Sequence, residues 1–291
     1  MKTLRKYKTV YLMMLPIALF FFIFSYYPLL NGLVISLQDY RLIGPRPFVG
    51  LNNYIAVLQD PNFLQVSLNT FRIGGGMLAA GFIMPLLLAL SLNEVMQRWF
   101  KKTAQLIVYI PHLFSWVVVG GMWILLLSPD TGLVNQIILT FGGDKPIHFL
   151  ATESYAPWVI VFVNTWKEMG YTCIMYLAAI AGINPSLYEA ARMDGATRRE
   201  LIWHVTVPQL VPTMKVVLML NALSVLRMFD PVLMMSNGAN ARAVDVIMMY
   251  TYQKGILEYK VSIATAAGFI VIAATFVLTY ITRKLIKYDE G

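Results

Sequence analysis

The sequence predicts an all-α integral membrane protein with six transmembrane helices and both termini on the cytoplasmic side. Three observations carry this. Of 291 residues, 58% are hydrophobic and only 13% charged, against about one quarter charged in a soluble domain, and the mean hydropathy is +0.64. Six runs are long enough to cross a hydrocarbon core, which takes about 20 mostly apolar residues: 10–37, 66–92, 104–128, 156–183, 213–235 and 262–282. Lys and Arg fall unevenly about these runs. With both termini inside, 14 are cytoplasmic (counting Lys215, at the inner end of the fifth run), six external and three deeper within spans, the bias that the positive-inside rule describes. Lys2, Arg5, Lys6 and Lys8 at one end and Arg283, Lys284 and Lys287 at the other belong to the cytoplasmic set. The net charge of +8 is then a matter of topology, and no nucleic-acid partner is needed to explain it.

The elements follow in order. No charge occurs from Thr9 to Gln38. That is too long for the roughly 7–15 apolar residues of a signal peptide, so the run is expected to be an uncleaved first span. The first, third and sixth runs are free of charge, whereas Arg72, Lys167, Glu168, Arg227 and Asp230 lie within the others. Pro16, Pro28, Pro85 and Pro111 fall inside runs and predict kinks, which membrane helices tolerate because neighbours re-satisfy the freed backbone.

The connector between spans four and five, 184–208, carries more signals than a connector needs. Asn184-Pro185 is an N-cap followed by proline at the first helical position. Gly195 can supply a left-handed C-terminal cap. Thr197-x-x-Glu200 is a capping-box signature for a second short helix, and Pro208 and Pro212 mark the return to the membrane. The expectation is helix, glycine turn, helix.

Several chemistries are excluded. Cys173 is the single cysteine, so neither a disulfide nor a Cys-x-x-Cys metal site can form. His112, His148 and His204 are scattered, and His112, following Pro111, shows no partner. No Gly-x-x-x-x-Gly-Lys-[Ser/Thr] phosphate loop is present, and no Ser-His-Asp set assembles. The chain is expected to be no enzyme and to need no cofactor.

Glu189-Ala190-Ala191, three residues ending in Asp194, then Gly195, nine residues, and Val205-Thr206-Val207-Pro208 closely resembles the "EAA" loop of ABC importer permeases. Phe48-Val49-Gly50-Leu51-Asn52-Asn53-Tyr54 resembles the segment after span one in sugar-type permeases, and Asn164-Thr165-Trp166-Lys167-Glu168-Met169-Gly170 their fourth-span motif. Phe229-Asp230 and Thr265-Ala266-Ala267-Gly268 fit the last two spans. Tyr176-Leu177-Ala178-Ala179 and Asp245-Val246-Ile247 resemble the polysaccharide or lipoprotein-type branch more than maltose permeases.

The resemblance implies a MetI-like ABC permease fold in the cytoplasmic (inner) cell membrane. It divides the chain into a leading region 1–65 and a permease core 66–291. It implies that Glu189, Ala190, Ala191, Asp194, Gly195, Val205 and Pro208 form the coupling element for a cytoplasmic ABC ATPase dimer. It also implies a second, homologous permease subunit and an extracellular solute-binding protein that delivers a sugar or oligosaccharide. A gradient-driven secondary transporter, a permease for a non-sugar solute and a non-transporting membrane subunit are the competing assignments.

Ionisable groups inside spans are costly and mark either internal pairs or a path. Lys167 and Glu168 fall near the middle of span four. Arg227 and Asp230, three residues apart, are expected on one face of span five. The four either neutralise one another or contribute to a polar sugar path together with Trp166. Arg72, near a span end, either snorkels to the interface or meets an anionic sugar. Trp116, Trp123 and Tyr171 are candidates for stacking on sugar faces, or pack as apolar side chains do.

Overall fold

The computed structural model describes residues 7–286. Lys2, Arg5, Lys6 and Lys287, counted above as cytoplasmic cations, lie outside the described residues. Among the described residues the chain is helical, with one isolated antiparallel bridge between Gln38 and Phe48.

Helix α1, Lys8–Ser36, is continuous over 29 residues. A wide π-turn, Phe22–Tyr26, separates its proline-bearing halves, and neither Pro16 nor Pro28 breaks it. Then come α2, Asn52–Gln59, and α3, Pro61–Glu94, of 34 residues. The third predicted span is broken. Helix α4, Arg98–Leu113, and α5, Trp116–Leu126, meet at a bend of 102°. The proline that predicts a kink there, Pro111, lies in the last turn of α4. Helix α6 is Leu133–Thr140 and α7 is Ala156–Ala181. Helix α8, Pro185–Met193, is followed by α9, Arg198–Val225, then by the short α10, Asp230–Met235, α11, Ala241–Val244, and α12, Ile247–Tyr252. Helix α13, Val261–Leu285, is last.

Four helices are long and apolar enough to cross a membrane, α1, α3, α9 and α13, or five if α4 and α5 count as one bent span. Helix α7, expected as span four, is long but does not pass on composition. Its centre, 164–168, is polar. It is also a heavily enclosed helix, with 11 of its 26 residues buried, so much of its surface faces protein. The expected span 213–235 is displaced. Helix α9 starts at the capping box and runs on past both prolines. Pro208 lacks the N–H that would donate to the preceding turn, and the π-turn Leu201–Thr206 directly before it is where that ladder is already interrupted. The helix then ends at Val225. Phe229, with φ −139°, separates it from α10. Arg227 and Asp230 therefore do not share a helical face, contrary to expectation.

The chain divides into two compact units. One comprises the described residues up to Phe63 together with Tyr250–Ile270. In it the 48–54 segment clips back onto the end of α1. Val49 N donates to Leu37 O at 2.8 Å. Gly50 takes φ +62°, a left-handed conformation that suits glycine. The Asn53 side-chain amide donates to Ser36 O at 2.8 Å and to Gln38 O at 2.9 Å. Tyr54 Oη lies 2.8 Å from the buried Ser36 Oγ. Tyr250 Oη donates to Asp60 at 2.8 Å. Beyond the π-turn Gln253–Leu257, Tyr259 adopts φ +56° beside Glu258, which pairs with both Lys254 and Lys260.

The other unit comprises Leu64–Met249 and the described chain from Val271 on. One apolar cluster gathers Ile73, Val119, Ile160, Val163, Val232 and Val244; a second gathers Ala89, Cys173, Tyr176, Leu210 and Val217. Helix α7 contributes to both. Helices α4 and α7 approach backbone to backbone at Gly170, where an added Cβ would overlap the Val108 carbonyl. Buried Asn69 donates to Arg242 O and Asp245 O at 2.9 and 3.0 Å, and Ile247 N donates to Thr70 Oγ1 at 3.0 Å.

Candidate functional site

Two features of the second unit stand out: a folded loop and a cavity whose largely apolar wall carries several polar side chains. The 184–208 loop has the predicted plan. Asn184 Oδ1 accepts from Ser186 N at 3.0 Å and Pro185 occupies the first turn of α8. Gly195 N donates to Arg192 O and Ala196 N to Ala191 O, both at 3.0 Å. This is a Schellman end, and it needs the φ of +85° that Gly195 supplies. Thr197 N then donates to Glu200 Oε2 at 2.7 Å while Glu200 N donates to Thr197 Oγ1 at 3.4 Å, closing the capping box. Where the sequence suggests a short second helix, α9 begins instead and continues to Val225.

Tyr188 Oη lies 3.0 Å from Thr206 Oγ1, so α8 is tied to the root of α9. Glu189, Ala190, Asp194, Gly195 and Pro208 are exposed, and Ala191 and Val205 half-buried. Ala191, Asp194, Gly195, Glu200, His204 and Val205 line a shallow groove of about 320 Å³. Met193 and Trp203 project beside it, 88% and 61% exposed. Small residues along an exposed helical face let another chain approach closely, and Glu189 offers it a charged acceptor.

The cavity, about 370 Å³, is lined by α3, α7, α9 and the start of α10. Asn164, Thr165, Glu168 and Thr172 from α7 meet Asn221 and Ser224 from α9, with Asp230 at the head of α10. Met77, Met169, Met175 and Tyr171 supply apolar wall. Amides, hydroxyls and carboxylates set among apolar groups make a surface suited to a polyhydroxylated solute.

The structure sorts the sequence candidates. Glu168 and Asp230 line the cavity. Trp166, Lys167, Arg227 and Arg72 are not among its lining residues. Trp166 packs edge-on against Trp123, ring centres 5.5 Å apart. Lys167 is 5% exposed; its ammonium donates to Glu168 Oε1 at 2.9 Å and to His112 O at 3.2 Å. Arg72 lies over the Trp158 ring at 5.4 Å. Arg227 and Asp230 are exposed and, among the described residues, form no ion pair with Lys167 or Glu168, so the four charges do not neutralise one another as a set.

His112, which shows no partner in the sequence, has one. Its Nδ1 lies 2.8 Å from Glu168 Oε2 and its ring stacks on Tyr171 at 4.7 Å. The pair is 56 residues apart, and nothing local in the sequence could join them. The cavity polars left a signal. Asn164, Glu168 and Thr172 recur every fourth residue, and Asn221 and Ser224 are three apart, each set on one helical face.

The family model for "Binding-protein-dependent transport system inner membrane component" matches residues 77–287. The chain belongs to this family. It is the membrane-embedded component of a binding-protein-dependent transport system. Among curated relatives, the polygalacturonan/rhamnogalacturonan transport system permease protein YteP of Bacillus subtilis (strain 168) is 38% identical, covering 98% of this chain and 90% of that protein. The trehalose/maltose transport system permease protein MalF of Thermococcus litoralis is 30% identical, covering 98% and 96%. Among solved structures, a chain of a bacterial alginate ABC transporter, in complex with an alginate pentasaccharide-bound periplasmic protein, matches with TM-score 0.91 and 34% identity. That match covers 98% of this chain and 96% of the other.

Proposed function

We propose that the chain is the permease subunit of an ATP-driven importer for a sugar or oligosaccharide, with six spans and both termini cytoplasmic, in the cell's inner membrane. The observation that carries the coupling assignment is the 184–208 loop. It presents Glu189, Ala190 and Ala191 on an exposed, firmly capped helix, and its second arm is α9, whose far end lines the cavity. A cytoplasmic ABC ATPase dimer takes hold of this loop, with Asp194, Gly195 and Val205 lining its groove and Pro208 exposed on α9 beyond it. A second, homologous permease completes the pathway, and a solute-binding protein delivers cargo from outside. In this assignment 66–291 is the permease core and 1–65 leads into it.

ATP closure of the ATPases moves the loop, α9 follows, and the cavity opens alternately to either side. Glu168, Asp230, Asn164 and Asn221 line the path; Lys167 and Trp166 support it from behind. The relatives named for polygalacturonan, trehalose/maltose and alginate support a carbohydrate cargo. The test is co-purification from mild detergent, wild type beside Glu189→Lys. Recovery of a P-loop ATPase with wild type and its loss in the variant is the expected result. Failure of wild type to bring down any ATPase would replace this mechanism with gradient-driven transport.

A further inference from the structure

Each half of the broken third span has a different main neighbour, although the α5 ring of Trp123 also packs on Phe162 and Trp166 of α7. Helix α4 is pressed against α7, where Gly170 admits the Val108 backbone. Helix α5 is pressed against α10, where a Cβ on Gly120 would sit 2.7 Å from Met234 Cβ. Only Phe114 and Ser115 connect the halves, and Ser115 Oγ caps the new helix by accepting from Val118 N at 3.4 Å.

Lys167 touches both sides of this break. Its ammonium donates to His112 O, in the last turn of α4, where carbonyls lack helical partners and the helix dipole favours a cation. The same ammonium lies 5.3 Å from the ring centre of Trp116, the first residue of α5. Glu168 accepts from Lys167 and holds the His112 ring, so the buried cation is neutralised by a group that also faces the cavity. Burying an ammonium is costly unless it is paired and hydrogen-bonded. Here the pairing is spent at a two-residue joint between stiff segments.

We propose that this joint is a pivot between α4 and α5, and that Lys167 is the positioning residue that pins it. The inference concerns the mechanics of the subunit and holds whichever solute is carried. It is tested on the full chain with its co-purifying subunits in lipid nanodiscs, in a Cys173→Ser background. Pulsed electron–electron resonance is measured between spin labels at Phe100 and Leu125, which report the bend. A second pair, Phe100 and Tyr155, reports the α4–α7 contact. All three positions are exposed.

Both distance distributions are expected to be narrow in the pinned chain. Lys167→Met keeps the apolar stem and removes the charge; it is expected to broaden the bend pair severalfold and leave the second pair narrow. Glu168→Gln, which keeps shape and loses charge, is expected to act in the same direction. The proposal is overturned if the bend pair stays narrow in both variants, since packing alone then holds the joint. It is equally overturned if both pairs broaden together, since Lys167 then only maintains the fold.

Discussion

Tyr188 Oη and Thr206 Oγ1 lie 3.0 Å apart, and this contact fastens α8 to the π-turn at the base of α9. The loop is thereby a braced corner. A neutral hydrogen bond contributes about 0.5–1.5 kcal/mol net, and Thr206 keeps its second bond, to Leu201 O. Tyr188→Phe is expected to insert and assemble normally, yet to lower ATP-driven uptake in proteoliposomes by about threefold to tenfold, with ATPase activity less affected. Equal loss of both would place the contact in assembly and not in transmission.

The capped turn makes a separate prediction. Gly195 stands at φ +85°, which a β-branched residue adopts only at substantial cost, on the order of 1–2 kcal/mol or more. Gly195→Val is expected to disorder the end of α8 and abolish uptake while leaving the protein in the membrane. Gly195→Asn, which tolerates the left-handed region, is expected to retain most uptake. Radiolabelled-sugar accumulation together with membrane-fraction blots reads both.

Gly170 is the tightest test of the α4–α7 contact. A methyl there overlaps the Val108 carbonyl, and neither backbone can give way cheaply. Overpacking of this kind costs about 1–3 kcal/mol, occasionally more. Gly170→Ala is expected to lower the unfolding temperature of the detergent-purified protein by several degrees. Gly75→Ala, where a Cβ meets nothing within 4 Å, serves as control and is expected to leave it unchanged.

The charge cluster at 254–260 predicts a pH dependence. Hydrogen bonds from Lys260 first, and Lys254 next, hold the Glu258 carboxyl below the usual carboxylate range. A depressed carboxylate stabilises the fold above its ordinary pKa, and that contribution fades as the pH falls through the depressed value. A spin label at the exposed Ile256 is expected to become more mobile as the pH falls below the usual carboxylate range. In Glu258→Gln it is expected to be mobile at neutral pH already, with little further change.

Local signals were read well from the sequence, and distant ones were not. Asn184, Gly195 and the Thr197–Glu200 box act over three or four residues, and all three formed as their residue types dictate. Helix α1 and helix α13 were legible because nothing but apolar length defines them. The 213–235 run failed as a boundary because Pro208 and Pro212 look like stops. A π-turn absorbed the interruption, and no propensity argument foresees that. Grouping Arg227 with Asp230 requires a helix that runs on through both, whereas α9 ends at Val225. For Lys167 the sequence shows a charge inside an apolar run and leaves pairing and path both open; the pairing with Glu168 depends on the direction its side chain takes, which a sequence does not show. His112 and Glu168 meet only through the packing of α4 on α7.

The unbroken course of α9 has a mechanical consequence. Its 28 residues at about 1.5 Å each make a rod roughly 40 Å long. Glu200, in the loop groove, rides near one end; Asn221 and Ser224, in the cavity wall, ride near the other. A rod stores little slack. A tilt of about 5° about its midpoint, by simple trigonometry on that length, carries each end nearly 2 Å in opposite directions, roughly half the width of a sugar ring. A displacement no larger than a side-chain adjustment at the loop is thus enough to move the cavity wall by an amount a solute would feel, without any signal having to pass from residue to residue between them.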